Sequence, residues 1–153
     1  HRQSSAASDV YKRQIIMVEN HFHSRVYYRD VDQMGIVYYS RYFEYFEQAR
    51  TELLNCNGIS ISDIEAEGIT LPVTHAYCEY FSSARFEDRI IVKSQIKEIP
   101  SSRLKINYFI KVNNCQDVII TGYTVHAFMK KNGKPTRVPK ILLDKINPHF
   151  SIE

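Results

Sequence analysis

The stretch from Arg29 to Arg50, RDVDQMGIVYYSRYFEYFEQAR, constrains the fold of this chain more than any other. Two acids and a glycine stand ahead of a run in which Tyr42, Phe46, Ala49 and Leu53 recur at spacings of four, three and four, the repeat of one helical face. Glu44, Gln48 and Thr51 fall on other faces. No proline or glycine interrupts the run until Gly58, and Asn57-Gly58 ends a helix well because both residues tolerate a left-handed backbone. The spacing therefore predicts a single helix of about five turns beginning near Val37.

The segment ahead of it is more than a linker. Asp32 lies five residues before Val37, and Gly35 between them lets the backbone turn sharply. Free N–H groups at a helix start carry partial positive charge, so they attract carboxylates and stabilise a developing oxyanion. Acids in this position most often cap the helix. That is the reading for Asp30, whereas Asp32 stands equally as a cap or as a chemical group on spacing alone.

The chain has 153 residues, 44% of them hydrophobic, with five glycines and five prolines, which suits a single globular domain rather than a disordered segment. SSAASDVYKRQ, Ser4 to Gln14, resembles the conceptual translation of a transposase sequencing adapter. Residues 1–16 are accordingly expected to be non-native, with Met17 the natural start and 17–153 the domain. They lack the apolar core of a targeting peptide. Arg2, Lys12 and Arg13 against Asp9 supply +2 of the formal +3 charge. The basic balance is then no sign of nucleic-acid binding, and Lys130, Lys131, Lys134 and Arg137 form a local cluster at a turn. No apolar run of about 18 residues is present to span a membrane as a helix. Cys56, Cys78 and Cys115 are odd in number and widely spaced, with no metal-ligand pattern, which favours reduced cysteines of a cytoplasmic protein and no metal site.

Along the chain, His21 to Tyr28 reads as a strand, and Ser60 to Gly68 as a short helix or turn. Val73 to Phe81 alternates as a long strand whose start Pro72 limits. Arg89–Ile99, the cleanly alternating Leu104–Val112, and Val118–Met129 follow with short turns, a pattern that favours an antiparallel meander. Val118–Met129 is apolar on both faces, as a mid-sheet strand would be. Pro139 can occupy the first turn of a C-terminal helix through Ile146. One long helix after the first strand and four antiparallel strands behind it make an α+β layer.

RVYYRDVDQMGIVYYSRYFEYFEQARTELL, LPVTHAYCEYFSSARFED and the RVPK segment together resemble the 4-hydroxybenzoyl-CoA thioesterase family, closest to its YbgC/FadM-like acyl-CoA thioesterase branch. The resemblance covers nearly all of residues 17–146. It implies the hotdog fold, a long central helix wrapped by a five-stranded antiparallel sheet. It also implies a homodimer paired edge to edge with active sites at the interface, with further pairing into a homotetramer in many members. Asp32 matches the catalytic aspartate, which acts as nucleophile or general base. Tyr39 matches the position whose backbone N–H polarises the thioester carbonyl. Gly35, Ile36, Val37, Tyr38 and Tyr42 are candidate substrate contacts around the helix start, and Arg85 and Arg103 are candidates for the phosphates of coenzyme A. A histidine often replaces Tyr39 in the nearest branch, and a proline is common at Ser83. Glu47, three residues before Arg50, reads as an ion-paired or interface residue, and His75 as a packed or hydrogen-bonded strand residue. The implied activity is hydrolysis of an acyl- or aroyl-CoA with no cofactor beyond the coenzyme A of the substrate. An acyl carrier protein as acyl donor, or acyl-thioester binding without turnover, are the alternatives.

Overall fold

The computed structural model describes residues 17–150; the expectation for residues 1–16 lies outside the described residues. Strand β1 (Val18–Arg25) leads through a 3-10 turn (Tyr28–Asp30) and an irregular loop to the long helix α1 (Arg41–Asn55). Helix α2 (Ile61–Ala66), strands β2 (Ile69–Thr70), β3 (Val73–Tyr80), β4 (Arg89–Ile96), β5 (Arg103–Val112), β6 (Val118–Lys130) and β7 (Pro135–Thr136), and helix α3 (Lys140–Ile146) follow. Five long strands lie in the order β1-β4-β5-β6-β3, every pair antiparallel. The short β2 and β7 add to the last residues of β6.

Period-two alternation made these strands, and it sorts their side chains. Leu104, Ile106, Tyr108 and Ile110 of β5 are fully buried against the helix, while Arg103, Lys105 and Asn107 face the other way. The expected face of α1 is the one that packs: Tyr42, Phe46, Ala49 and Leu53 are at most 1% exposed, and Tyr45 and Leu54 widen the stripe. Phe46 lies flat on Tyr108 at 4.3 Å between ring centroids. Gly122 of β6 sits beneath that stack, where a Cβ would come within 2.7 Å of the Phe46 ring and 2.5 Å of the Tyr77 carbonyl oxygen. β6 is a mid-sheet strand, with β5 on one side and β3 on the other.

The helix is shorter than its sequence pattern. It begins at Arg41 instead of near Val37, because the preceding backbone is committed elsewhere. Val37 N–H bonds the Ala84 carbonyl at 2.9 Å and Tyr38 N–H bonds the Asp30 carbonyl at 2.9 Å. Gly58, at φ +76°, closes the other end, and Ile59 N–H returns to the Leu54 carbonyl at 2.9 Å. At the C-terminus Pro139 precedes α3 as its cap and is not its first helical residue.

Candidate active site

Residues 31–37 form a small hairpin pinned to the rest of the fold. Val31 bridges Val37, and Ile36 bridges Arg85, so the segment after β3 serves as the template for this loop. Asp32 N–H bonds the Ile36 carbonyl at 2.9 Å and Gly35 N–H bonds the Asp32 carbonyl at 3.0 Å. Gly35 takes φ +76° with open space where a Cβ would be, so backbone conformation, not crowding, asks for glycine there. Asp32 Oδ1 accepts the Met34 N–H at 2.8 Å, which fixes the carboxylate and leaves Oδ2 free of any protein partner among the described residues.

Asp30 plays a different part. It is buried, its Oδ2 accepts the Tyr27 N–H at 2.9 Å, and its own N–H returns to the Tyr27 carbonyl at 3.0 Å, so it staples the 3-10 turn. It is a structural acid.

Between the hairpin and α1 the chain makes a tight turn, with Arg41 N–H on the Tyr38 carbonyl at 2.9 Å. Phe43 N–H bonds the Ser40 carbonyl at 3.2 Å, and the Tyr39 carbonyl accepts the Tyr80 hydroxyl at 2.9 Å. The N–H groups of Tyr39 and Ser40 have no protein acceptor among the described residues. Tyr39 and Tyr38 are exposed and their rings tilt together at 4.6 Å. A hydrogen bond to Tyr39 is the main cause raising the Tyr38 ionisation above the ordinary phenol range, and the Asp32 charge is a smaller one. The Tyr38 hydroxyl is thus within the field of that carboxylate.

Of the sequence candidates, Asp32, Gly35, Ile36, Tyr38, Tyr39 and Arg85 come together at this end of the molecule. Val37 and Tyr42 lie beneath them as floor. Tyr42 is 1% exposed and its hydroxyl accepts the Ala84 N–H at 3.1 Å. Arg103 is elsewhere. It pairs with Ala127 near the far end of β6, whereas Phe81 and Ser82, next to the Arg85 template, hold Ile119 at the near end. Eight residues of strand separate the two, about 26 Å. Glu47 makes no ion pair with Arg50: Arg50 turns inward to the Tyr108 hydroxyl at 3.3 Å. Glu47 instead lines a cleft of about 330 Å³ along the C-terminal half of α1. His75 is exposed, with Nδ1 3.0 Å from Thr74 Oγ1. Tyr80 and Ala84 escaped sequence reasoning. Strand parity put Tyr80 with Ala76 and Cys78, but nothing in the sequence ties that face to the helix start.

Among the described residues no group of three or more His, Cys, Asp or Glu could hold a metal, and no helix is long and apolar enough to cross a membrane.

A long helix laid on a five-stranded antiparallel sheet defines the hotdog fold. Residues 26–146 match the thioesterase-like superfamily, and the chain belongs to it. A protein of Aquifex aeolicus that bears the name of an esterase is 30% identical over 123 residues, 80% of this chain and 94% of that one. The acyl-CoA thioester hydrolase YbgC of Escherichia coli is 34% identical over 80 residues, 52% of this chain and 60% of that protein. The DHNA-CoA thioesterase of Staphylococcus aureus superposes with a TM-score of 0.74 at 28% identity, covering 78% of this chain and 80% of that one.

Proposed function

We propose that this chain is an acyl-CoA thioesterase of the YbgC-like branch, with Asp32 as the reacting carboxylate and the Tyr39 and Ser40 amides as the oxyanion donors. The observation that carries the reading is that the connection between β1 and α1 holds both a carboxylate with one uncommitted oxygen and two backbone N–H groups that no acceptor among the described residues satisfies. The S. aureus and E. coli relatives, named as a DHNA-CoA thioesterase and an acyl-CoA thioester hydrolase, support the substrate class.

The reaction adds water across the thioester C–S bond and yields a carboxylic acid and coenzyme A. Asp32 either attacks the carbonyl carbon, expelling the coenzyme A thiolate and leaving a mixed anhydride that water opens, or takes a proton from a water that attacks directly. Both routes move an electron pair onto the carbonyl oxygen, where preorganised N–H donors count most. Gly35, Ile36 and Tyr38 border the acyl group, and Arg85 stands at the rim.

The complete site is formed by two chains. β3 pairs with β6 along one edge, and its side chains are mostly exposed. If two copies join antiparallel along the free edge, the Tyr80 end of one meets the Val73 end of the other. That is the end of the sheet that carries Arg103, which then serves a coenzyme A phosphate of the partner's site. The three free cysteines support a reducing compartment, the cytoplasm.

The test is thiol release from short, medium, long and aromatic acyl-CoAs by the parent protein and by Asp32→Asn. Turnover by the parent and a loss of at least about a hundredfold in the variant, roughly 2.7 kcal/mol of barrier, are expected. Equal activity in the two proteins would remove Asp32 from the chemistry. Turnover of the same acyl group only on an acyl carrier protein would change the donor and keep the mechanism.

A further inference from the structure

Tyr39 lies one residue ahead of the N-cap Ser40, so its carbonyl has no place in the hydrogen-bond ladder of the helix that starts at Arg41. Here Phe43 N–H goes to the Ser40 carbonyl, and the Tyr39 carbonyl is left to the Tyr80 hydroxyl, 41 residues later in the chain, at 2.9 Å. Tyr80 is well held for this task. It is the last residue of β3, in register with Ile120 of β6, and the chain after it is fastened by Phe81 and Ser82 N–H groups on the Ile119 carbonyl at 2.9 and 3.2 Å. Its ring meets the buried Tyr42 ring edge-on at 5.7 Å, and Tyr42 is itself tied to Ala84 N–H.

A peptide unit is planar and trans, so its N–H points opposite to its C=O. Fixing the Tyr39 carbonyl therefore fixes the direction of Ser40 N–H, and it anchors the Tyr39 α-carbon from its C-terminal side. Donation to the carbonyl also polarises the unit and makes its N–H a stronger donor. Burial of the hydroxyl, together with the Cys78 thiol beside it, raises the Tyr80 ionisation above the ordinary phenol range, so it remains a donor at any working pH.

We propose that Tyr80 is a positioning residue that holds the Tyr39–Ser40 peptide so that the unpaired amides of this turn face the carbonyl of the substrate; this rests on the thioesterase reading above. Tyr80 does not touch the reacting atoms, and its effect is felt when charge collects on the carbonyl oxygen. A structural staple would act differently, costing stability and binding before it cost rate.

Tyr80→Phe keeps the ring on Tyr42 and removes only the hydroxyl. Steady-state hydrolysis of the best acyl-CoA should show kcat reduced by roughly tenfold, the worth of one neutral hydrogen bond, with KM and the melting temperature unchanged. Two inert coenzyme A analogues complete the test: a ketone, with CH2 in place of the thioester sulfur, and a thioether lacking the carbonyl. The parent should prefer the ketone and Tyr80→Phe should lose that preference. Unchanged kcat, a fall matched by lost stability, or equal weakening toward both analogues would overturn the proposal. If the parent hydrolyses no acyl-CoA, the thioesterase reading fails, and the analogue pair still decides on Tyr80: a carbonyl preference lost in the variant supports it, and one retained or never present refutes it.

Discussion

His126 shows how a single buried residue sets a pH limit on this fold. It is 2% exposed, with Nδ1 3.2 Å from the Leu71 carbonyl and Nε2 2.9 Å from Thr124 Oγ1. A carbonyl only accepts, so Nδ1 carries the proton and Nε2 accepts from Thr124. Thr124 then accepts from the Tyr108 hydroxyl at 2.7 Å, which in turn accepts from Arg50 Nη1. All four bonds run in one direction, and they do so only while the imidazole is neutral. Desolvation, with the Arg50 charge adding to it, pushes His126 down to about 4 against the backbone bond that favours its charge. The unfolded chain takes up the proton near 6.5 while the folded chain resists, so stability falls as pH drops from about 6.5 to about 4 and levels off below. The loss from this residue is about 3 kcal/mol. Thermal melts of the parent between pH 7 and 4 should show that slope. His126→Gln should be less stable at pH 7 and lose much of the slope; an unaltered slope would place the acid sensitivity elsewhere. Asp32 permits a similar separation. An asparagine retains an oxygen for the Met34 N–H, so Asp32→Asn should melt with the parent, whereas Asp32→Ala should lose roughly 0.5–1 kcal/mol by denaturant titration.

At the scale of elements, the contact of α1 with the sheet depends on an absent side chain. Gly122 has ordinary backbone angles, so what it supplies is room: a methyl group there would strike the Tyr77 carbonyl and the Phe46 ring together. Backbone cannot yield as a side-chain tip does, and overpacking of this kind costs about 1–3 kcal/mol. Gly122→Ala should lower the urea midpoint accordingly and loosen the amide exchange of β3, whereas an unchanged midpoint would show that helix and sheet separate freely here. The side-chain pattern that makes these elements was legible in the sequence, since Tyr42, Phe46, Ala49 and Leu53 on one side and Leu104, Ile106, Tyr108 and Ile110 on the other follow from periods of 3.6 and two. The start of α1 was not legible. The bonds that hold Val37, Tyr38 and Tyr39 out of the helix come from Ala84, Asp30 and Tyr80, and no local propensity registers partners so far along the chain. The ion pair with Arg50, one of the two readings of Glu47, fails for a related reason. Spacing offered Glu47, but Tyr108, 58 residues away, offered a hydroxyl closer to the core.

For the whole molecule the decisive feature is the free edge of β3. Among the described residues this eight-residue strand pairs on one side only, which presents a row of unmet N–H and C=O groups, and proteins ordinarily blunt such an edge with charge, proline or brevity. β3 has none of these within it beyond Glu79. Val73, Tyr77 and Tyr80 are instead between 44% and 49% exposed on it, a surface that suits a second copy of the same strand. Antiparallel pairing centred near Tyr77 sets that residue opposite its own equivalent, or close to it. A carboxylate introduced there would oppose a second carboxylate across the dyad, which costs stability in an antiparallel pair. Sedimentation of the parent should give twice the 18.0 kDa chain mass, or a multiple of that dimer. Tyr77→Glu should sediment as a monomer with an unchanged far-ultraviolet spectrum. Its hydrolytic rate should fall much further than the loss of the Tyr77–Tyr123 stack would bring about by itself. A Tyr77→Leu control that breaks the same stack without adding charge should remain dimeric and active. If the glutamate variant were monomeric yet as active as the control, one chain would hold the whole site, and Arg103 would have no part in it.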